Sequence, residues 1–343
     1  MSKNSAIRKN KILNILVREY IDTATPVASE ALLRSYALGV SSATIRNDMA
    51  NLEEEGYITR PHTSAGCIPL DKGYRHYVES LPGNVELPPG EQANIRNHFI
   101  EAADELERLL KMAASLISRL AGNAAVVTYP RASESKFKHL ELISLHDFLG
   151  LLILVFSETC LKQHLLNFTI PVTQDELSAI ANKLNSKYVG LTRSGILAKK
   201  LDLTAEEKTV SEVITGIMAI EDAAEVDETY LEGLRLTLNQ PEFVNKERVL
   251  HIVDLLEARG WLKNMLREKP SETTVKVVIG KESGNDSLKD LSLVLIHYGV
   301  PQKLSGTVGV IGPTRMDYQR TISTVVYISQ ILSYLMAEVC SER

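Results

Sequence analysis

Arg46 and Asn47 stand side by side in the chain, and their chemistry suits the edges of DNA bases. A guanidinium offers two parallel donors to guanine, and a carboxamide pairs with adenine through one donor and one acceptor. Both residues lie in SSATIRNDMANLEEEG, from Ser41 to Gly56, where Ile45, Met49 and Leu52 recur at i, i+4 and i+7. That spacing puts the three apolar side chains on one face of a helix. Ala43, Arg46, Asn47 and Ala50 point away from that stripe, with Thr44 and Asn51 on a flank, and the alanines let the helix come close to a groove floor. Ser41 or Ser42 is placed to cap the helix, and Gly56 to close it in a left-handed C′ position. Ser42, Ala43, Thr44, Arg46, Asn47 and Asn51 are therefore the candidate DNA-contacting set on this helix. A solvated helix face has the same composition, so the neighbouring elements must decide.

Those neighbours fit a helix-turn-helix. Ile12, Ile15, Leu16 and Tyr20 form one face of a first helix, and Leu32, Leu33 and Tyr36 the core of a second, which begins after Pro26 with Ser29 as its cap. Ala37 to Val40, containing Gly39, makes the turn into the third helix, whose N-terminal residues read the groove in this layout. After Gly56, residues 57–60 read as a strand, 61–66 as a loop and 67–70 as a returning strand, together a wing. Arg60, His62, Thr63 and Ser64 are its candidate DNA contacts. A helix then starts at Asp71 and runs through Tyr74, Tyr77 and Val78, with Lys72 and Arg75 as candidate phosphate contacts; its tyrosines suit packing of the wing onto the body equally well.

SSATIRNDM, PHTSAG, IP and DKGYR in this spacing, with IGPTRMDY at Ile311–Tyr318, resemble the signatures of the heat-inducible transcription repressor family, HrcA. The resemblance runs over nearly the whole chain. Two positions depart from the family pattern: Cys67 stands where Arg is usual and Leu70 where Thr is usual. A wing arginine would be a natural phosphate contact, so the wing contributes less charge here.

The 343 residues exceed one typical domain, and 44% hydrophobic content is ample for buried cores. Cys67, Cys160 and Cys340 are far apart with no CxxC pair, which argues against a disulfide framework and for a reducing, cytoplasmic setting. The longest apolar run, Phe148 to Phe156, is far short of the roughly 20 residues of a membrane helix, and Asn14 and Arg18 interrupt any signal-peptide core. Net charge is −5 overall, while residues 1–80 hold ten Lys or Arg against nine Asp or Glu. That is not the strongly basic surface usual for nucleic-acid binders. Lys3, Arg8, Lys9, Lys11 and Arg18 do precede the first acid, Glu19, so local binding to few phosphates with moderate salt dependence is expected.

Residues 81–94 read as a linker, proline-rich from Leu81 to Gly90. From Ile95 the apolar positions Phe99, Ala102, Leu106, Leu109, Ala113, Leu116 and Leu120 alternate by four and three, which suits a long core helix or a dimeric coiled coil. A strand at 124–129 follows, then strands at 138–145, 148–157 and 160–168 and helices at 173–187, 192–200 and 204–220, an α+β unit. Beyond these come a strand at 229–236, a helix at 246–267, strands at 273–279, 291–298 and 304–311, and a closing helix at 314–339. The expected class is α+β multidomain. Residues 1–80 form the winged helix-turn-helix; the resemblance implies that 95–136 and 226–343 combine into a GAF-like α/β domain and that 137–225 is an inserted α+β dimerisation domain.

No nucleophile or acid/base constellation points to an enzyme, and no cofactor or metal is expected. Gly306, Gly309 and Gly312 are spaced like a phosphate loop but fall on a strand, and Gly312–Thr314 could hold an anion at a helix start, though simple capping explains it too. His62, Cys67 and His76 match no ligand spacing. Cys67 could be a redox-sensitive thiol if Arg75 or an electropositive setting lowers its pKa. His146, His164 and His297 sit in strands, where histidine is ordinarily a packed or surface polar residue. The resemblance implies a repressor that binds an inverted-repeat operator, the CIRCE element of chaperone operons, as a homodimer kept active by the GroE chaperonin, with no membrane partner. Two other readings stand beside it: a winged-helix repressor responsive to a small ligand, and a winged-helix assembly factor that does not bind DNA.

Overall fold

The computed structural model of this chain describes all residues except 1–2, 37–39, 63–64, 84–85, 102–104, 131–134, 157–160, 224–228, 245–273, 301–303 and 342–343. It divides into two compact units: one of residues 1–129, 228–299 and 306–343, the other of residues 130–227 and 300–305.

The first unit begins with α1 (Lys3–Thr23), α2 (Ser29–Ser35) and α3 (Ser42–Glu54). Ile12, Leu13, Leu16 and Val17 of α1 bury against Leu32 of α2 and Ile45, Met49 and Leu52 of α3. The buried stripe of α1 thus includes Leu13 and Val17, while the expected Ile15 and Tyr20 lie half-buried at its border. The turn expected at 37–40 falls mostly outside the described residues. Strands β1 (Ile58–Thr59) and β2 (Ile68–Pro69) pair antiparallel as the wing, and α4 (Asp71–Ser80) follows at once. The wing is tied back to the helices by Val27, whose N–H and carbonyl bond Cys67 at 2.8 and 2.9 Å. Tyr57 bonds the start of α4 through Leu70 N–H at 2.9 Å. Gly73 faces that Tyr57 carbonyl so closely that a Cβ there would collide with it.

The long helix expected from Ile95 is two helices, α5 (Pro89–Glu101) and α6 (Leu106–Ala121), because Glu105 has extended backbone (φ −139°, ψ 118°). Helix α6 packs on both the sheet and the last helix of the chain. Helix α6 lies on the sheet with Leu109, Leu110, Ala113, Leu116 and Ile117 buried. Helix α5 is tied to the last helix, α11 (Tyr318–Ser341), where Arg96 Nε donates to Tyr327 Oη at 2.8 Å and Tyr327 donates to the Gln92 carbonyl at 3.2 Å. The stripe is consumed within the chain, which favours the core-helix alternative over the coiled coil.

The sheet of this unit has the order β7 (Thr229–Glu232), β3 (Ala124–Thr128), β10 (Leu304–Pro313), β9 (Leu291–Val300), β8 (Lys276–Ile279). Early strand β3 lies between late strands β7 and β10, antiparallel to both, as the resemblance implies. Strand β7 is shorter than the expected 229–236 because Gly233 turns the chain into α10 (Leu234–Leu238). Helix α11 starts four residues later than expected, since Thr314 to Met316 form a turn and Asp317 caps it by accepting the Arg320 N–H at 3.0 Å. The helix expected at 246–267 lies outside the described residues.

In the second unit β4 (Phe137–His146), β5 (Leu149–Phe156) and β6 (Leu161–Asn167) form a meander backed by α7 (Gln174–Tyr188), α8 (Arg193–Ala198) and α9 (Ala205–Ala223). Strand β5 alternates strictly: Gly150, Leu152, Leu154 and Phe156 are buried, and Leu149, Leu151, Ile153 and Val155 are not. The buried row meets Leu177, Leu184 and Tyr188 of α7 and Val210, Ile214 and Met218 of α9. A reciprocal cap starts α7, where Thr173 accepts the Glu176 N–H and Glu176 accepts that of Thr173.

Among the described residues no helix is long and apolar enough to cross a membrane. Gly73→Ala is expected to cost about 1 to 3 kcal/mol by overpacking the seam between wing and α4. Urea unfolding of the variant measures it, and a midpoint equal to that of the wild type would refute the tight approach.

Candidate nucleic-acid interface

Helix α3 is held by three constraints. Ser41 caps it, its hydroxyl accepting the Thr44 N–H at 3.2 Å, so Ser42 is the first helical residue. Ile45, Met49 and Leu52 bury its inner face. Asp48, which sequence reasoning missed, also faces inward, 2% exposed, and takes both Arg8 donors, Nε at 2.6 Å and Nη2 at 3.1 Å. An apolar-stripe reading has no place for a carboxylate in the core; the missing signal was an arginine forty residues earlier that satisfies it. A buried carboxylate is stable only with such a partner, and the forked guanidinium matches it with two bonds.

With the inner face fixed, Ala43, Arg46 and Asn47 are exposed, and Ser42, Thr44, Ala50 and Asn51 are half-buried along the rim. Arg46 reaches α2, with Nη2 3.3 Å from Glu30 Oε1 and Nε 3.4 Å from Ser29 Oγ. Ser29 is thus not the cap of α2, a position held by Ala28; its hydroxyl faces Arg46 instead. Both side chains of the Arg46–Glu30 pair are more than 60% exposed, so the pair is weak and releasable. The Asn47 side chain makes no hydrogen bond among the described residues.

The remaining cations are largely committed inside the domain. Lys9 is buried and bonds Glu55 at 2.5 Å, and Arg60 of the wing lies 3.3 Å from Glu53. Lys72 donates to the Glu55 carbonyl at 2.8 Å with its ammonium 4.2 Å from the centre of the Tyr57 ring. Arg75 turns to the body, where Nη2 donates to the Val277 carbonyl at 2.7 Å and Nε to Glu282 at 2.8 Å. Its fork is therefore spent within the subunit. Of the five early cations, Arg8 and Lys9 anchor α3, while Lys11 and Arg18 are exposed. His62 is exposed at the wing, and Thr63 and Ser64 lie outside the described residues.

Cys67 is buried, and burial pushes its thiol pKa up despite the nearby Arg60 guanidinium. That corrects the redox alternative, since a protonated, enclosed thiol is a poor nucleophile. His76 packs against the Tyr57 ring at 5.8 Å, and no group of three metal-binding side chains comes together among the described residues. Gly306, Gly309 and Gly312 all lie within β10, where their backbone faces Tyr298, Leu295 and Asn123, so they form neither a phosphate loop nor the start of α11. His297 bonds Thr307 at 2.9 Å, and burial lowers its pKa.

The family model of the HrcA protein C terminal domain matches residues 107–322, and that of the DeoR-like helix-turn-helix domain matches residues 19–69. The chain is 44% identical to the heat-inducible transcription repressor HrcA of Dehalococcoides mccartyi over 96% of each chain. It is 40% identical to the protein of that name from Herpetosiphon aurantiacus, covering 98% of this chain and 96% of the other. A crystal structure of a hypothetical protein shares the fold with a TM-score of 0.58, at 24% identity over 98% of both chains.

Asp48→Ala is expected to destabilise the helical domain by about 1.5 to 3 kcal/mol, because a charged hydrogen-bonded pair is broken. Thermal denaturation tests it, and an unchanged melting profile would show that the Arg8 fork contributes nothing.

Proposed function

This chain belongs to the HrcA family of heat-inducible transcription repressors, and we propose that it silences chaperone operons by binding an inverted-repeat operator, the CIRCE element, as a homodimer. It is a heat-shock transcriptional repressor with a helix-turn-helix DNA-binding domain. The observation that carries the operator reading is the bare outer face of α3, where Arg46 and Asn47 stand exposed while Asp48 and the apolar stripe anchor the opposite side. Ser42, Ala43, Thr44 and Asn51 flank them and set how closely the helix seats in the groove. Arg60 and His62 of the wing, with Lys72, supply backbone contacts once Glu53 and the Tyr57 ring release them.

The outer face of the three-stranded sheet supports the dimer. Its outward residues Ile143, Leu151 and Leu165 in one cross-strand row, and Val155 and Leu161 in another, present apolar side chains to solvent around the half-exposed Ile153, with His139, Glu141 and Gln163 as polar neighbours. A sheet face of that composition is costly to leave in water, and a two-fold axis through it pairs it with itself. In this reading residues 137–225 are the dimerising insertion, 95–136 with 226–343 the GAF-like body, and 1–80 the reading head. The regulatory step rests on family membership: the GroE chaperonin keeps the repressor active, and heat diverts it to unfolded clients. A repressor of operons works where the chromosome lies, so its proposed compartment is the cytoplasm.

Gel shifts with a palindromic duplex and with a single half-site, with and without chaperonin, test the whole. Arg46→Ala is expected to cost about 1 to 3 kcal/mol in operator binding and to relax discrimination at one base pair. Wild-type affinity in that variant would reject its role, and absence of any specific DNA binding in the wild type would favour the assembly-factor alternative. Leu151→Lys is expected to sediment as a monomer and to lose preference for the palindrome; a dimer that persists would reject the sheet face as the interface.

A further inference from the structure

The reading head is fastened to the body of its own subunit by polar contacts from two of its helices. At the end of α1, the Ile21 carbonyl accepts Arg315 Nη1 at 2.6 Å. Arg315 lies in the turn before α11, and its other nitrogens are held by Glu242 and Gln240, with Nε 2.5 Å from Glu242 Oε1. A cation at the C-terminus of a helix satisfies a carbonyl that has no partner within the helix. On α4, Arg75 bonds the carbonyl of Val277 at the sheet edge and the carboxylate of Glu282. Glu282 is itself oriented by the Ile279 N–H at 2.9 Å. One turn earlier, Asp71 accepts the Lys281 N–H at 3.0 Å.

The approach at Asp71 is made for a residue without a side chain. Gly280 has φ +51°, and a Cβ there would lie 2.6 Å from Asp71 Oδ2. Between the two arginine sites, Tyr74 of α4 and Tyr318 of α11 are both buried with ring centres 6.0 Å apart. Tyr318 donates to the Thr314 carbonyl at 2.7 Å, in the same turn that carries Arg315. With contacts on both α1 and α4, the head cannot swivel about any single one of them.

We infer that Arg315 and Arg75 are positioning residues that lock the winged helix to the body and thereby determine which separation of operator half-sites the repressor accepts. The inference rests on the proposed palindromic binding by a dimer. Half-sites recur at fixed distance and helical phase, so a head held rigidly selects one spacing, whereas a head on a loose tether accepts several. Neither arginine needs to touch DNA for this, which gives Arg75 a role that its committed fork permits.

The test is a panel of duplexes with two identical half-sites whose spacer varies base pair by base pair across one helical turn, together with a single half-site. Wild type is expected to prefer one spacing by about tenfold over spacers two base pairs away. Arg315→Met with Arg75→Met keeps the stems and removes the forks. Provided circular dichroism shows it folded and sedimentation shows it dimeric, it should bind the half-site like wild type while its spacing preference collapses to about threefold or less. Arg315→Lys with Arg75→Lys should restore part of the preference. A folded double variant with the wild-type profile would overturn the lock. Should that variant not fold, Glu282→Gln, which keeps shape and removes charge, is read on the same panel, and an unchanged profile there overturns it equally. A wild type that prefers no palindrome over the half-site overturns the repressor reading and this inference with it; a sharp wild-type profile shared by the variants overturns the lock alone.

Discussion

A carboxylate shut away from water has to be neutralised where it lies, and among the described residues it is Arg8 that neutralises Asp48. This constraint fixes the rotation of α3 about its axis more sharply than its apolar neighbours do. Ile45, Met49 and Leu52 would tolerate a small roll of the helix, since dispersion contacts are individually weak and non-directional. Two directed hydrogen bonds to one carboxylate would not. Given that rotation, Arg46 and Asn47 must face outward, and the bare outer face of α3 follows from a pair on the opposite side.

The same accounting explains how a nearly neutral domain can be a DNA-binding one. The acid run Glu53 to Glu55 would repel phosphate if it stood free. Instead Glu53 meets Arg60 and Glu55 meets Lys9, while Lys72 sits on the Glu55 carbonyl and the Tyr57 ring. Several cations counted in the sequence are therefore structural, and fewer remain for counterion release. On the proposed operator reading, binding then depends on shape and base contacts more than on charge. Arg46 fits that scheme, since its contact with Glu30 is fully at the surface and orients the guanidinium without committing it.

Local signals were legible in the sequence where they are set by the chain's near neighbours. The cap at Ser41, the stripe of α3, the alternation of β5 and the meander of β4, β5 and β6 each follow from residues within a few positions of one another. What escaped were arrangements made by partners far apart in the chain. Asp48 is explained by Arg8, the orientation of Arg75 by Val277 and Glu282, and the role of Arg315 by Ile21, Gln240 and Glu242. The break at Glu105 escaped for a related reason. The heptad stripe continues through it, and the partners that hold each piece, Tyr327 for α5 and the sheet with α11 for α6, lie far along the chain. The family motif IGPTRMDY was recognisable as a string, yet its arginine acquires meaning only when the first helix of the chain is folded against it.

The surfaces of the two units differ in the kind of interaction they use, and the difference has a physical sense. The outer face of β4, β5 and β6 carries an apolar patch of Leu149, Leu151, Ile153 and Val155 with Ile143, Leu161 and Leu165 among polar residues, and suits an association driven by burial of area. The seam under the reading head is polar and directional, built of forked guanidinium groups, a carbonyl at a helix end and a glycine that admits a carboxylate. Burial sets how strongly surfaces hold, whereas directed hydrogen bonds set the angle at which they hold. Where orientation is what must be conserved through folding, polar groups are worth their desolvation cost. Glu282 illustrates the balance: burial works to raise its pKa, but the Arg75 guanidinium and the Ile279 N–H outweigh it and hold the carboxyl below its usual range. A carboxylate with a depressed folded-state pKa contributes stability above its unfolded pKa and loses it as pH falls through the folded value. The seam is accordingly at full strength near neutral pH, where a repressor must keep its geometry, and loosens only in acid.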